Sequence, residues 1–110
     1  MEGFFENVYK IVCSIPRGKV LSYGDVARAA GRPKMSRQVG WALHSNPRPG
    51  EIPCHRVVFN DGCLSSGFAF GGPEVQAALL QEEGVEVVDL KVDLSKYRWD
   101  MSGLTNSSVG

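Results

Sequence analysis

The stretch S-Y-G-D-V-A-R-A-A-G-R-P-K-M-S-R-Q-V-G-W-A-L-H-S-N-P at residues 22–47 decides the fold. Ser22, followed three residues later by Asp25, resembles a capping box, in which each side chain satisfies a free backbone N–H at the start of a helix. These residues predict a short helix over about 23–30. Gly31 provides an end for this helix, because glycine tolerates a positive φ.

A second short helix is predicted over about 37–45, with Ser36 as its N-cap and with Val39, Ala42 and Leu43 on its inner face. Two short helices joined by a tight turn that contains glycine are the outline of a helix-turn-helix. A generic helical pair with a solvated basic rim has the same pattern. The small residues Gly40 and Ala42 would let the second helix approach a partner surface closely. Trp41 is interpreted as a packing residue rather than one that stacks on bases.

Two further helices complete the predicted core. Apolar residues at helical spacing predict an amphipathic helix over 3–15, which Pro16 ends. Pro73 fits the first position of a last helix over 73–83. The side chains predicted to face inward on that helix are Val75, Ala78, Leu79 and Leu80.

The remaining pattern predicts a small β wing within one domain. Short apolar runs on either side of Asn-Asp-Gly predict a hairpin over 57–64. At 110 residues and 12.0 kDa, the chain has the length of about one domain. We therefore expect a mainly α-helical fold with a small β wing, a winged helix-turn-helix. It would form a single domain over residues 1–100, followed by a disordered tail over 101–110.

The charge distribution points to a polyanionic partner. Twelve basic and twelve acidic side chains cancel over the whole chain, but residues 1–60 contain nine basic and four acidic ones, a net charge of +5. Residues 61–110 carry the opposite charge. Neutralisation of phosphates supplies most non-specific affinity for DNA. The basic residues around the helix pair that we predict to contact DNA are Arg32, Lys34 and Arg37.

The cysteine pattern and the N-terminus indicate the compartment. The three cysteines are an odd number without C-x-x-C spacing, which argues against a disulfide framework and a structural zinc site. The N-terminus is acidic and lacks an apolar signal region, and no apolar run approaches the roughly 20 residues that cross a bilayer. We expect a cytoplasmic (nucleoid-associated) or nuclear protein that is not secreted, makes no membrane contact and uses neither metal nor cofactor.

Cys54 has the most reactive setting of the three cysteines. The proline-rich stretch N-P-R-P-G-E-I-P at 46–53 is extended and stiff, and it leads directly into Cys54, His55 and Arg56. An adjacent base and positive surroundings favour the thiolate, which is the nucleophilic form. His55 would act through a bridging water or a turn, since consecutive side chains on extended backbone face opposite sides. Glu83 is a candidate to orient His55, and Arg56 could bind either backbone carbonyls or DNA.

The motif I-P-C-H-R-V-V at 52–58 lies behind N-P at 46–47 and S-R-Q-V-G at 36–40. Together these residues resemble the active-site domain of the O6-alkylguanine-DNA alkyltransferases, and the resemblance runs from about residue 4 to residue 84. It implies a winged helix-turn-helix that enters the minor groove of duplex DNA and flips the damaged guanine out. It also implies irreversible transfer of the alkyl group to the cysteine, so that each molecule acts once.

The resemblance implies a role for each matching catalytic position. Cys54 would accept the alkyl group, and His55 would be the water-mediated base. Glu83 would hold the imidazole of His55. Asn46 would brace the active-site turn.

Further matching positions would contact DNA or line the pocket. Tyr23 would help to rotate the nucleotide and contact the 3′ phosphate, and Arg37 would fill the gap left in the base stack. Val57 would offer its carbonyl to the extruded purine. Ser36 and Gly40 complete the expected DNA contacts, and Pro53 completes the wall beside the cysteine.

The loop after the cysteine departs from the family pattern. Where the family has Tyr-Ser-Gly-Gly, this chain has F-A-F-G-G at 68–72. The hydroxyl groups that would meet the lesion's oxygen are therefore missing at the expected places, although Ser65 and Ser66 are near. Phe68 or Phe70 could wall the pocket by stacking instead.

The C-terminal K-Y-R-W at 96–99 is more similar to the alkyltransferase-like proteins. These small relatives bind alkylated guanine, signal to excision repair and typically replace the cysteine with an inert residue. Our leading hypothesis is stoichiometric methyl transfer to Cys54, and the alternative is a non-catalytic protein that flags lesions for excision-repair proteins. In both, a monomer binds double-stranded DNA containing alkylated guanine. A winged-helix regulator indifferent to damage stays open, and a Cys-His hydrolase is disfavoured because no oxyanion-hole motif is present.

Overall fold

The computed structural model describes residues 2–47, 51–64 and 72–100, which form a mainly helical chain with small sheets. The helices are α1 (Glu2–Ser14), α2 (Tyr23–Ala29), α3 (Ser36–His44), α4 (Gly72–Glu82) and α5 (Leu94–Tyr97). The strands are β1 (Leu21–Ser22), β2 (Val57–Val58), β3 (Val87–Val88) and β4 (Lys91–Val92), and a 3-10 turn spans Cys54–Arg56. The tail expected to be disordered, 101–110, lies outside the described residues.

The larger of two hydrophobic cores lies between α1, α2 and α3. Apolar side chains that recur along α1 are buried against Val26 of α2 and Val39 of α3. The Tyr9 hydroxyl donates to the Ala42 carbonyl over 2.8 Å, so its polar end is satisfied inside this core. The buried faces of α2 and α3 are therefore anchored to α1. The α1 residues in this core are Phe4, Val8, Val12 and Ile15.

The start of α2 is capped as the sequence predicts. The Ser22 hydroxyl accepts the Asp25 N–H, and the Asp25 carboxylate accepts the Ser22 N–H, each over 3.0 Å. Gly31 follows the helix with φ +82°, the left-handed conformation expected of a helix-ending glycine. The capping box therefore fixes where α2 begins.

The predicted cap at Ser36 is wrong. The N-cap of α3 is Met35, with no side-chain cap hydrogen bond, and Ser36 is already the first helical residue. The reason is the tightness of the preceding turn: the Met35 N–H bonds to the Arg32 carbonyl over 2.9 Å, and the Met35 carbonyl already accepts the Val39 N–H. The chain therefore enters the helix one residue early. The predicted inner face of this helix is confirmed, since Val39, Ala42 and Leu43 are all buried. Of the two small residues expected to allow close approach to a partner, Ala42 is therefore in the core, and Gly40 is half-buried.

A two-residue parallel pair joins the two halves of the chain. Leu21 of β1 lies opposite Val57 of β2, and Ser22 lies opposite Val58. All four residues are buried, as parallel strands usually are. The pair places the start of α2 beside the chain that leaves the Cys54 turn.

The turn of the predicted 57–64 hairpin forms, and the Phe59 N–H donates to the Cys63 carbonyl across it over 2.9 Å, but the residues beyond this bond pair with other strands. The Gly62 N–H bonds to the Phe59 carbonyl over 2.8 Å. The arm before the turn is β2, which pairs with β1, and Cys63 after the turn pairs with Lys91 beside the β3–β4 hairpin. Gly62 has φ +92°, and a Cβ there would lie 2.1 Å from the Val92 carbonyl oxygen, so only glycine fits this close approach.

The predicted inward face of α4 is confirmed at Leu80, which is fully buried, and is wrong at Val75 and Ala78. Gln76, Ala77 and Leu80 are buried, whereas Val75 and Ala78 are exposed. The hydrophobic pattern fails here because the buried face includes an amide, which is satisfied by hydrogen bonds. The smaller core around α4 consists of Val20, Val58, Leu64, Ala77, Leu80, Val85 and Val92.

The C-terminal segment is bound to the start of α2. The Val20 N–H donates to the Tyr97 carbonyl over 2.9 Å, and the Trp99 N–H donates to the Val20 carbonyl over 2.8 Å. Arg98 Nε donates to Asp25 Oδ2 over 2.9 Å, and Arg28 also pairs with this carboxylate, whose side chain is 1% exposed. Burial alone would raise the pKa of Asp25, but the hydrogen bonds from Arg98 and Ser22 outweigh it and hold the pKa below its ordinary value. Among the described residues, no helix is both long and apolar enough to span a membrane.

We expect acid to unfold the protein partly through Asp25. A carboxylate whose pKa is lower in the folded state stabilises the fold above its unfolded pKa, about 3.9. This contribution is lost as the pH falls toward the folded pKa. Asp25→Asn should therefore lower the free energy of unfolding at pH 7 and weaken its dependence on pH below about 4. Urea denaturation over a pH series measures both, with the exposed change Glu86→Gln as control; an unaltered acid profile in Asp25→Asn would contradict this account.

Candidate active site and nucleic-acid interface

The Cys54 thiol lies at the exit of a tight, braced turn. Pro53 has φ −79° and ψ 67°, and the Cys54 N–H bonds to the Ile52 carbonyl over 2.8 Å, which together make an inverse γ-turn. The buried Asn46 side chain donates to the same Ile52 carbonyl over 3.1 Å, and its Nδ2 lies 3.6 Å from Cys54 Sγ. One amide thus contacts both the turn and the sulfur.

The environment of Cys54 favours the thiol rather than the thiolate. Burial raises the pKa of Cys54, and the Asn46 hydrogen bond offsets only part of the rise. The expectation that positive surroundings increase the thiolate fraction is therefore wrong. The physical reason is the burial of the thiol, which disfavours its charged form; the neighbouring cation Arg56 bonds to Glu83 and to the Ile15 carbonyl.

Glu83, at the end of α4, binds the two residues that follow Cys54. His55 Nε2 lies 2.9 Å from Glu83 Oε2. Arg56 donates to both carboxylate oxygens, over 2.9 Å from Nε and 2.6 Å from Nη2, and its Nη1 donates to the Ile15 carbonyl over 2.8 Å. Arg56 therefore faces the protein interior, which answers a question that the sequence left open.

The ion pair decides which nitrogen of His55 can act as a base. Burial alone would raise the pKa of Glu83, but hydrogen bonds from Arg56 and His55 outweigh it and lower the pKa. The carboxylate is thus ionised at neutral pH. It accepts a hydrogen bond from the N–H at Nε2 of His55, so that the proton stays on the imidazole. In the neutral imidazole this leaves the lone pair on Nδ1.

Gln76 is a further site residue that the sequence analysis did not identify. Its side chain is fully buried, and Nε2 donates to the His55 carbonyl over 3.1 Å and to the Val57 carbonyl over 3.0 Å. It therefore ties α4 to both ends of the turn that follows Cys54. The available signal was a glutamine within the apolar pattern of a helix, at a position where a buried polar group requires partners.

The start of α2, the 59–62 turn and α3 meet at one surface. The Tyr23 ring lies 5.4 Å from the ring of Phe59, and the Gly24 N–H donates to Asn60 Oδ1 over 3.2 Å. A Cβ at Gly40 would lie 4.0 Å from Tyr23 Cε1, so α3 presents its bare backbone to the tyrosine. This surface thus contains residues from three separate parts of the chain.

The predicted basic residues lie on the outside of this helix pair. Arg37 is exposed on α3, Arg32 and Lys34 are exposed on the preceding turn, and Ser36 is half-exposed. Trp41 is 57% exposed, so its interpretation as a packing residue is wrong. The side chain points away from the buried face of α3, which leaves it no core to enter.

The predicted pocket is described only in part. Pro53 is half-buried beside Cys54, and the Val57 side chain is buried while its carbonyl accepts the Gln76 amide. Four predicted pocket residues lie outside the described residues: Ser65, Ser66, Phe68 and Phe70. Within the described ranges, no group of three or more His, Cys, Asp or Glu side chains is placed to hold a metal ion.

Comparison with known proteins gives the family. The family described as 6-O-methylguanine DNA methyltransferase, DNA binding domain, matches residues 3–85. The chain belongs to this alkyltransferase family. It is 40% identical to alkyltransferase-like protein 1 of Schizosaccharomyces pombe, over 90% of this chain and 96% of that protein. It is also 40% identical to the DNA base-flipping protein of Escherichia coli, over 90% of this chain and 76% of that one.

Solved structures of alkyltransferase family proteins share this fold. The S. pombe Atl1 protein in complex with damaged DNA containing O6-carboxymethylguanine matches with a TM-score of 0.81 and 39% identity, over 91% of this chain and 97% of that one. The Mycobacterium tuberculosis OGT protein in complex with DNA matches with a TM-score of 0.68 and 37% identity, over 74% of this chain and 48% of that one. The match to the S. pombe protein therefore covers more of both chains than the match to the M. tuberculosis protein.

We expect Gln76 to be necessary for the geometry of the Cys54 turn. Gln76→Leu keeps the volume but leaves two carbonyls without their donor, which should lower the free energy of unfolding by about 2–3 kcal/mol. The exposed change Gln81→Leu on the same helix is the matched control and should cost much less. Urea denaturation measures both variants. Equal stability of the two variants would show that the Gln76 hydrogen bonds do not hold the turn.

Proposed function

We propose that this protein binds duplex DNA containing O6-alkylguanine and flips the modified base into a pocket beside Cys54. The observation that carries the proposal is the β1–β2 pair. Because Leu21 lies opposite Val57, Tyr23 at the start of α2 is brought beside the chain that follows the Cys54 turn. The strand pair thereby joins the basic surface of α2 and α3, which is suited to DNA, to the Cys54 thiol, which Asn46 contacts.

In this proposal α2, α3 and the 59–62 turn act as a winged helix-turn-helix in the minor groove. Arg37 fills the space that the flipped base leaves, and Tyr23 turns the nucleotide and meets the 3′ phosphate. Extrusion costs a few kcal/mol, least for a weakened pair, which favours lesions over normal guanine. The remaining contacts, mainly with the backbone, come from Arg32, Lys34, Ser36 and Gly40.

The comparisons support lesion binding as the main activity. The relatives that match nine-tenths of this chain carry the names alkyltransferase-like protein and DNA base-flipping protein. The rat methylated-DNA–protein-cysteine methyltransferase matches 71% of the chain. We place the protein in the cytoplasm, associated with the nucleoid, or in the nucleus. There it would act as a monomer and mark lesions for excision-repair proteins.

We expect a preference for damaged DNA that depends on Arg37 and Tyr23. Fluorescence anisotropy with an O6-methylguanine duplex and an undamaged duplex of the same sequence measures the two affinities. Arg37→Ala and Tyr23→Ala should each lower the ratio of these affinities about tenfold, or about 1.4 kcal/mol. Lys10→Ala, an exposed basic change on α1, is the control for simple loss of charge. Equal affinity of the wild-type protein for both duplexes would favour a winged-helix regulator instead.

A second candidate function is stoichiometric alkyl transfer to Cys54. It is favoured by the intact thiol beside Asn46 and by the His55–Glu83 pair, which leaves a basic nitrogen on His55. As the S–C bond forms, the bond between the alkyl carbon and O6 breaks, and its electron pair stays on the guanine. The thiol proton passes through a water to His55. Because burial raises the pKa of Cys54, the thiol form is favoured, and His55 is needed to receive its proton.

We expect intact-mass measurement to decide this second candidate. After incubation with O6-methylguanine duplex, the protein should gain one methyl group on the peptide containing Cys54, and Cys54→Ser should gain none. Cys13→Ser and Cys63→Ser should react like wild type. The transfer rate should rise with pH toward the alkaline range, because the raised pKa keeps Cys54 protonated at neutral pH. A protein that stays unmodified yet binds the damaged duplex more tightly would leave lesion binding as its function.

A further inference from the structure

Helix α3 has one outward face, and Trp41 lies at its centre. Arg37, Trp41 and His44 are exposed and recur at positions i, i+4 and i+7, which lie on one side of a helix. The opposite side is buried in the core through Val39 and Leu43. A tryptophan that is 57% exposed leaves a large apolar surface in water, which a partner would cover at a gain in free energy.

The charge around Trp41 indicates what kind of partner covers it. No acidic residue occurs in the sequence between Asp25 and Glu51, whereas five basic residues do. Those within the described residues that are exposed include Arg32, Lys34 and Arg37. An exposed apolar side chain on a segment whose charged residues are all basic fits a polyanion that also has apolar surface. The deoxyribose-lined minor groove of DNA has both properties.

We propose that Trp41 is a second minor-groove contact, one helical turn beyond Arg37; this rests on the proposed DNA binding. Four residues of α3 span about 6 Å, close to two base-pair steps of about 3.4 Å each. The indole packs against the sugars of the groove and widens it as an apolar wedge. Its N–H donates to the N3 or O2 acceptors that every base pair presents there. Trp41 therefore adds affinity for any duplex, and it adds no preference for the lesion.

Two measurements on DNA binding test this role. Trp41→Ala should weaken binding to damaged and undamaged duplex by the same factor, about tenfold, and leave their ratio unchanged. Trp41→Phe should recover part of the loss, since the ring remains and the N–H is absent. The slope of affinity against salt should stay as in wild type for Trp41→Ala and fall by about one for Lys34→Ala, which removes a proposed contact with the DNA backbone. Val88→Ala, a change at another exposed apolar residue, should bind like wild type.

Fluorescence gives an independent readout. The chain has two tryptophans, and Trp99 packs partly buried against the larger core, so Trp99→Phe leaves Trp41 as the only indole. In that background, adding undamaged duplex should change the emission and lower the acrylamide quenching constant several-fold. Thermal melting of each variant without DNA checks that the fold is intact.

The outcomes separate this inference from the proposed function. If Trp41→Ala binds both duplexes as tightly as wild type while Arg37→Ala is weakened, DNA binding stands and the Trp41 contact is overturned. Unchanged quenching of Trp41 on saturation with duplex would overturn it as well. If the wild-type protein binds neither duplex, the proposed function itself fails.

Discussion

The parallel contact between Leu21 and Val57 is the constraint on which the rest of the structure depends. Two buried residues on each strand join the start of α2 to the chain leaving the Cys54 turn. On one side of the contact the capping box fixes the first residue of α2, which is Tyr23. On the other side, Glu83 and Gln76 hold the residues after Cys54. This short strand pair thus connects the surface at the start of α2 to the turn that carries the Cys54 thiol.

Around this contact, polar groups are satisfied by partners from distant parts of the chain. Asp25 is buried and paired with Arg98, which is 73 residues away in the sequence. Glu83 is paired with Arg56 and His55. A buried charge is costly when it loses its partner. The Asp25–Arg98 pair therefore holds the start of α2 to the C-terminal segment, and the pairs of Glu83 hold the end of α4 to the residues after Cys54. The pKa of Cys54 is raised by its burial, and Arg56 next to it in the sequence pairs with Glu83.

The sequence predicts what local rules control. The capping box at Ser22, the helix end at Gly31 and the tight turn before Gly62 depend on a few neighbouring residues, and all three form. The family resemblance also names Asn46 and Glu83, which the structure places at the Cys54 turn. The pairing of β2 with β1 and the burial of Gln76 on α4 were not predictable in this way. Each depends on a partner elsewhere in the fold, such as the carbonyls that accept the buried Gln76 amide.

The central claim is that a base flipped from the surface at Tyr23 reaches Cys54. Disulfide cross-linking tests it most directly, with Cys13 and Cys63 replaced by serine and a duplex carrying one guanine with a thiol tether at O6. The account predicts a cross-link to Cys54 that forms in high yield and falls sharply with Tyr23→Ala or Arg37→Ala. A yield that is the same for the tethered guanine in the duplex and for a tether on the DNA backbone, or that is unaffected by both variants, would contradict it.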